Sequence, residues 1–102
     1  MEPEKRLVLA LLLLALAERD ESLVRRYGQR LSLTTRKAIS FQAITFVSSG
    51  QFDHLAELVG VPADLLRKLA PLDALSNYDK LMRDDYIDQF RLDEIVPEEQ
   101  DD

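Results

Sequence analysis

Hydrophobic and polar positions along this chain follow helical spacing almost throughout. Pro3 suits the first turn of a helix, where its missing N–H would be unpaired anyway. From Glu4 to about Arg19 the pattern predicts one helix that is apolar on nearly every side, with residues 7–17 reading LVLALLLLALA. A helix apolar all round is either central to a bundle or buried against another subunit. Asp20 or Ser22 can cap a second helix running to about Gln29, with Leu23, Val24 and Tyr27 inward and the arginines outward. Ser32 or Thr34 can cap a third, TTRKAISFQAITFVSS, closed by Gly50 at a C′ position. Its apolar residues are Ile39, Ala43, Phe46 and Val47, joined by Phe41 and Ile44.

Residues 51–59 and 62–70 predict two short helices around Gly60, and Pro71 is expected to stop the second. Leu75, Tyr78, Met82, Tyr86 and Phe90 then recur every three or four residues, one face of an amphipathic, acidic helix. Ser76 followed by Asp79 approximates its capping box. Pro97 ends the pattern, leaving an acidic tail over residues 97–102. The expectation is all-α: one compact domain over residues 1–96, of five or six short helices.

Composition narrows the chemistry. A 102-residue chain with 46% hydrophobic residues supports one real core and leaves little room for a deep cleft. The chain holds no cysteine, excluding disulfides, thiolate nucleophiles and Cys-based zinc sites, and fitting a reducing, cytoplasmic compartment. Its one histidine, His54, falls on an exposed helical position. Asp84, Asp85 and Asp88 share a helical face but lack the loop spacing of a calcium site. No Gly-rich phosphate loop is present. No constellation of ionisable residues points to a reaction, so the expectation is a non-enzymatic protein without a cofactor or metal.

Residues 7–17, preceded by Lys5 and Arg6 and ending Ala15-Leu16-Ala17, also have the outline of a secretory signal. Glu2 and Glu4 cancel the positive flank, and the run is too short for an ordinary membrane span. A Leu/Ala-rich core helix and no membrane contact are the favoured reading. In so small a protein, the same helix is expected to pair two copies as a homodimer.

Charge is unevenly placed. The net charge is −6, which argues against a simple polyanion binder. Yet no acid lies between Glu21 and Asp53, where Arg25, Arg26, Arg30, Arg36 and Lys37 fall, and from Asp79 onward acids dominate. The basic run suits a phosphate backbone, and equally an acidic tail of this chain or of a neighbouring subunit.

Within FDHLAELVGVPADLLRKLA, residues 52–70, Leu55 and Val59 offer an inner face and Ala56 a small contact. Gly60 supplies a turn, Val61 follows into the core, and Leu66 and Leu69 anchor what comes next. On its Leu-Ala pair, Gly-Val turn and paired aliphatics, this stretch resembles the helix-turn-helix segment of many small bacterial and phage regulators. The resemblance implies a phage or mobile-element type of regulator acting at double-stranded DNA. Its outward positions would be Ala63, Asp64, Arg67 and Lys68, with Arg67 on a guanine edge and Lys68 on a phosphate. The acidic neighbours Asp53, Glu57 and Asp73 oppose that contact.

Two other classes remain open on the residues. Tyr78, Met82, Tyr86 and Phe90 could serve an acidic adaptor or inhibitor that binds a basic protein partner. Alternatively the chain is a structural subunit of a nucleoprotein assembly, with the basic middle on nucleic acid and the first helix on a neighbour.

Overall fold

A computed structural model describes residues 2–26 and 30–83 of the chain. Among them the fold is all-α, with five helices, as the periodicity predicts. The first, α1 (Pro3–Glu18), has Pro3 in its opening turn and Glu4 beside it, favourable for the positive end of the helix dipole. It is the axis of the domain: Leu9, Leu12, Leu13 and Leu16 have no exposed surface. Burying each contributes about 1.5–3 kcal/mol of apolar transfer. The other helices pack around it: α2 (Leu33–Val47), α3 (Gly50–Val59), α4 (Ala63–Arg67) and α5 (Pro71–Met82).

Arg19 and Ser40 fasten the end of α1. The Arg19 guanidinium donates to the carbonyls of Leu16 (2.9 Å), Leu69 (2.5 Å) and Arg67 (3.4 Å), tying α1 to the end of α4. Burial of this guanidinium lowers its pKa from the ordinary arginine range. Ser40 Oγ donates to Arg19 O at 2.8 Å, which ties in α2.

Three boundaries differ from the sequence expectation, each for a local reason. Of the second helix, expected to run to about Gln29, the described part is a 3₁₀ turn, Glu21–Leu23, after which Val24 is extended; Tyr27 and Gln29 lie outside the described residues. Asp20 accepts from both the backbone N–H and the hydroxyl of Ser22, at 2.9 and 2.7 Å. These bonds hold the Asp20 carboxyl below its usual pKa, and they favour a tight turn over a longer helix. Leu23 and Val24 then pack inward without helical spacing. Gly50 is not a C′ residue. Ser49 accepts from Phe52 N–H as an N-cap, so Gly50 opens α3 instead. Pro71 likewise begins α5 rather than merely ending what precedes it, which leaves Ser76 and Asp79 in mid-helix instead of at a cap. α5 buries Ala74, Leu75, Asn77 and Leu81 and packs Tyr78 against the core, whereas Met82 is exposed, so the expected stripe holds at Leu75 and Tyr78 and passes to Leu81 at the end of the helix. The continuation through Tyr86 and Phe90, the aspartates at 84, 85 and 88 and the tail at 97–102 lie outside the described residues.

Within residues 52–69 the inner positions are buried as their pattern implies, but the second helix, expected over residues 62–70, covers only Ala63–Arg67. Phe52, Ala56 and Leu66 are fully buried, and Val59, Val61 and Leu69 nearly so. Gly60 ends α3 in the left-handed region at φ 77°, and its N–H and that of Val61 close the helix onto Glu57 and Ala56.

Gly50 and Gly60 yield opposite expectations. A Cβ at either would meet nothing within 4 Å, so backbone conformation alone decides. Gly60→Ala is expected to destabilise by about 1 kcal/mol through its positive φ. Gly50→Ala is expected to stabilise by roughly 0.4–1 kcal/mol by restricting the unfolded chain. Urea denaturation of both variants checks the pair; equal shifts would contradict the two assignments.

Candidate functional site: an arginine-lined cleft

Of the positions singled out for base reading, Ala63 and Arg67 are engaged within the fold, whereas Asp64 and Lys68 are exposed. α4 has only five residues, so it spans about 7.5 Å along its axis. Arg67, at its last position, turns inward with 26% of its side chain exposed. Its Nε donates to Val47 O at 2.8 Å, Nη1 to Asp53 Oδ1 at 2.6 Å, and Nη2 to Ser49 O at 3.4 Å. The guanidinium also lies 4.9 Å from the centre of the Phe52 ring, which meets Phe46 edge-on at 5.7 Å. Arg67 therefore clips α4 to the α2–α3 junction through every nitrogen of its fork. Ala63 packs against the core, Asp64 extends into solvent, and Lys68 lies on the surface just past α4. Asp53, Glu57, Gly60, Val61, Pro62 and Ala63 border a shallow notch of about 270 Å³ with two carboxylates on it.

The basic run behaves differently: the structure gathers most of it. Arg25, Arg26, Arg30 and Arg36, although spread over twelve positions, line one cleft of about 790 Å³. Its apolar surface comes from Leu14 of α1, Val24, Leu31 and Tyr78 of α5. The extended chain after the 3₁₀ turn carries Arg25 and Arg26 there, while Arg30 and Leu31 lead into α2, whose first turns hold Arg36. Ser32 N-caps α2 by accepting from Thr35 N–H at 3.2 Å, so the positive end of a 15-residue helix adjoins the cleft. Lys37 is separate, beside Arg19 and Phe41 in a second depression.

Two of these arginines are already engaged. Arg26 pairs with Glu18, a nearly buried carboxylate, and Arg25 reaches Asp79 at 3.3 Å. Among the described residues Arg30 and Arg36 have no carboxylate within ion-pair distance, and Arg36 Nε is buried without a hydrogen-bond partner. Charge along the chain sharpens the asymmetry. Residues 1–83 hold twelve basic and ten acidic residues, formally +2, whereas residues 84–102 hold one arginine and nine acids, formally −8.

Spacing missed the cleft because its residues do not share one element. The basic run was visible, but its convergence with Leu14 and Tyr78 needed the 3₁₀ turn at the start of the expected helix. Of the adaptor stripe, Tyr78 faces this cleft and Met82 is exposed, with Tyr86 and Phe90 outside the described residues. α1 leaves two large apolar side chains exposed, Leu7 and Leu11. No helix among the described residues is long and apolar enough to cross a membrane. No described group of His, Cys, Asp or Glu could hold a metal ion. No protein-family model, curated protein or solved structure matches the chain.

The inward clip predicts a stability effect at a position that sequence alone marks for recognition. Arg67→Lys cannot reproduce the fork and is expected to cost about 1–3 kcal/mol. Asp53→Asn, altering one exposed partner, is expected to cost under about 1 kcal/mol. Thermal denaturation of both variants tests this; an unchanged melting temperature for Arg67→Lys would remove the clip from the account.

Proposed function

We propose that the protein is a small, non-enzymatic regulator that acts at DNA by holding backbone phosphates in the arginine-lined cleft. One observation carries the reading: four arginines from three stretches of chain converge on one concavity, and two of them face no carboxylate among the described residues. Guanidinium forks bind phosphate oxygens in pairs, and the adjoining start of α2 adds a positive dipole. The helix-turn-helix-like pair α3–α4 serves here as packing. Its short second helix, inward Arg67 and neighbouring Asp53, Glu57 and Asp64 suit a core element better than a groove reader. Contact confined to phosphates positions a protein on DNA without reading bases, so sequence preference is expected to be weak.

Fluorescence anisotropy with a labelled duplex at two salt concentrations tests the reading. Affinity is expected to fall steeply with salt, by a slope of about −0.9 per phosphate contact. Arg30→Ala and Arg36→Ala are each expected to weaken binding to all sequences alike and to reduce that slope by about one. Lys68→Ala is expected to change little. Absence of binding at low salt by the folded protein would refute the proposal. Loss of sequence preference in Lys68→Ala, with the cleft variants unaffected, would return DNA contact to α4.

A further inference from the structure

We infer that the ligand of this cleft is single-stranded nucleic acid, one unstacked base entering against Leu14, Val24, Leu31 and Tyr78 while flanking phosphates meet the arginines. The inference rests on the phosphate-binding reading above and specifies its substrate class. Its basis is the combination of shape and lining. A purely phosphate-holding surface needs exposed cations and no apolar floor. Here the cations surround a concavity of about 790 Å³ whose remaining walls are aliphatic and aromatic. That volume lies within the range of small-molecule sites, in a cleft that is open to solvent.

Duplex DNA cannot use such a floor. Its bases are stacked inside, and it meets a protein with a convex ridge of phosphates. A single strand can turn a base outward and keep its phosphates on either side, the arrangement by which sequence-tolerant binders combine a cationic track with aromatic platforms. Tyr78 supplies the ring, and the planar guanidinium groups of the cleft can stack on further bases. Arg30 and Arg36 line the cleft without a carboxylate partner among the described residues, so their guanidinium groups can meet a phosphate oxygen or a base carbonyl there.

Charge and size also favour a strand over the alternatives. Asp53, Glu57, Asp64 and Asp73 are exposed elsewhere on the domain, and a thin strand has less contact with such a surface than a wide duplex. An acidic peptide would satisfy the arginines too. Acidic side chains, however, bring no planar ring to lay against Tyr78 while their carboxylates meet the arginines.

The test uses the full-length protein and labelled oligonucleotides of equal length. An oligothymidylate is expected to bind about tenfold more tightly than a mixed-sequence duplex, the size of one base–aromatic stack. An abasic strand, which keeps every phosphate, is expected to lose that advantage on the unmodified protein. Tyr78→Leu is expected to lose it on the normal strand, Tyr78→Phe to keep it, and duplex affinity to be the same in both. If the duplex binds as well as the strand, or the abasic strand as well as the normal one, the base seat is overturned while phosphate binding stands. If neither nucleic acid binds, both readings fall together. If polyglutamate displaces the strand at matched charge concentration and binds more tightly, the cleft belongs to an acidic protein partner, and the inference is overturned.

Discussion

Burial of α1 is the constraint on which the rest of this structure depends. A 16-residue helix with leucine or alanine at most positions has no polar face to turn outward, so other elements must cover it on several sides. A short chain can meet that demand only by wrapping. α2, α3 and α5 all contact α1, and α4 is added as a brief plug whose Leu66 and Leu69 complete the cover. Arg19 and Arg67 then fix the short pieces by donating to carbonyls that helix ends leave unpaired. Guanidinium groups suit this task because one side chain can reach several carbonyls at once.

The same wrapping creates the cleft. Between α1 and α2 the chain must travel from the end of one helix to the start of another. Among the described residues it leaves α1 through a 3₁₀ turn, after which Val24 is extended. Arg25, Arg26, Arg30 and Arg36 then line one cleft together with Val24, Leu31, Leu14 and Tyr78. Cationic groups therefore meet an apolar wall at a point where helix packing alone would have left a seam. The arrangement of charge follows: acids partner Arg25 and Arg26 but not, among the described residues, Arg30 and Arg36.

Much of the fold was legible in the sequence because helical spacing and caps are local properties. α1, α2 with its Ser32 cap, and the Gly60 turn all lie where the pattern puts them. Errors arose where one residue type can serve two ends of a helix. Gly50 and Pro71 read as terminators, yet each opens the next helix, since a preceding serine cap or a proline at the first position permits it. The candidate site was less legible. Arg67 carries the same charge whether it faces DNA or a backbone carbonyl, and only the tertiary position of the α2–α3 junction decides. The arginines of the cleft were visible as a run, but Leu14 and Tyr78 lie far away in sequence and signal core packing there.

The central claim is that this protein meets its ligand at the arginine-lined cleft and not at the outer face of α4. Amide and arginine side-chain NMR during titration with a short oligothymidylate tests it most directly, because every surface is observed at once without substitution. The account predicts saturable shifts at Arg25, Arg26, Arg30, Arg36 and the residues around Tyr78, with Arg67 Nε–H unmoved against Val47. Shifts concentrated at Asp64, Arg67 and Lys68, with the cleft silent, would contradict it.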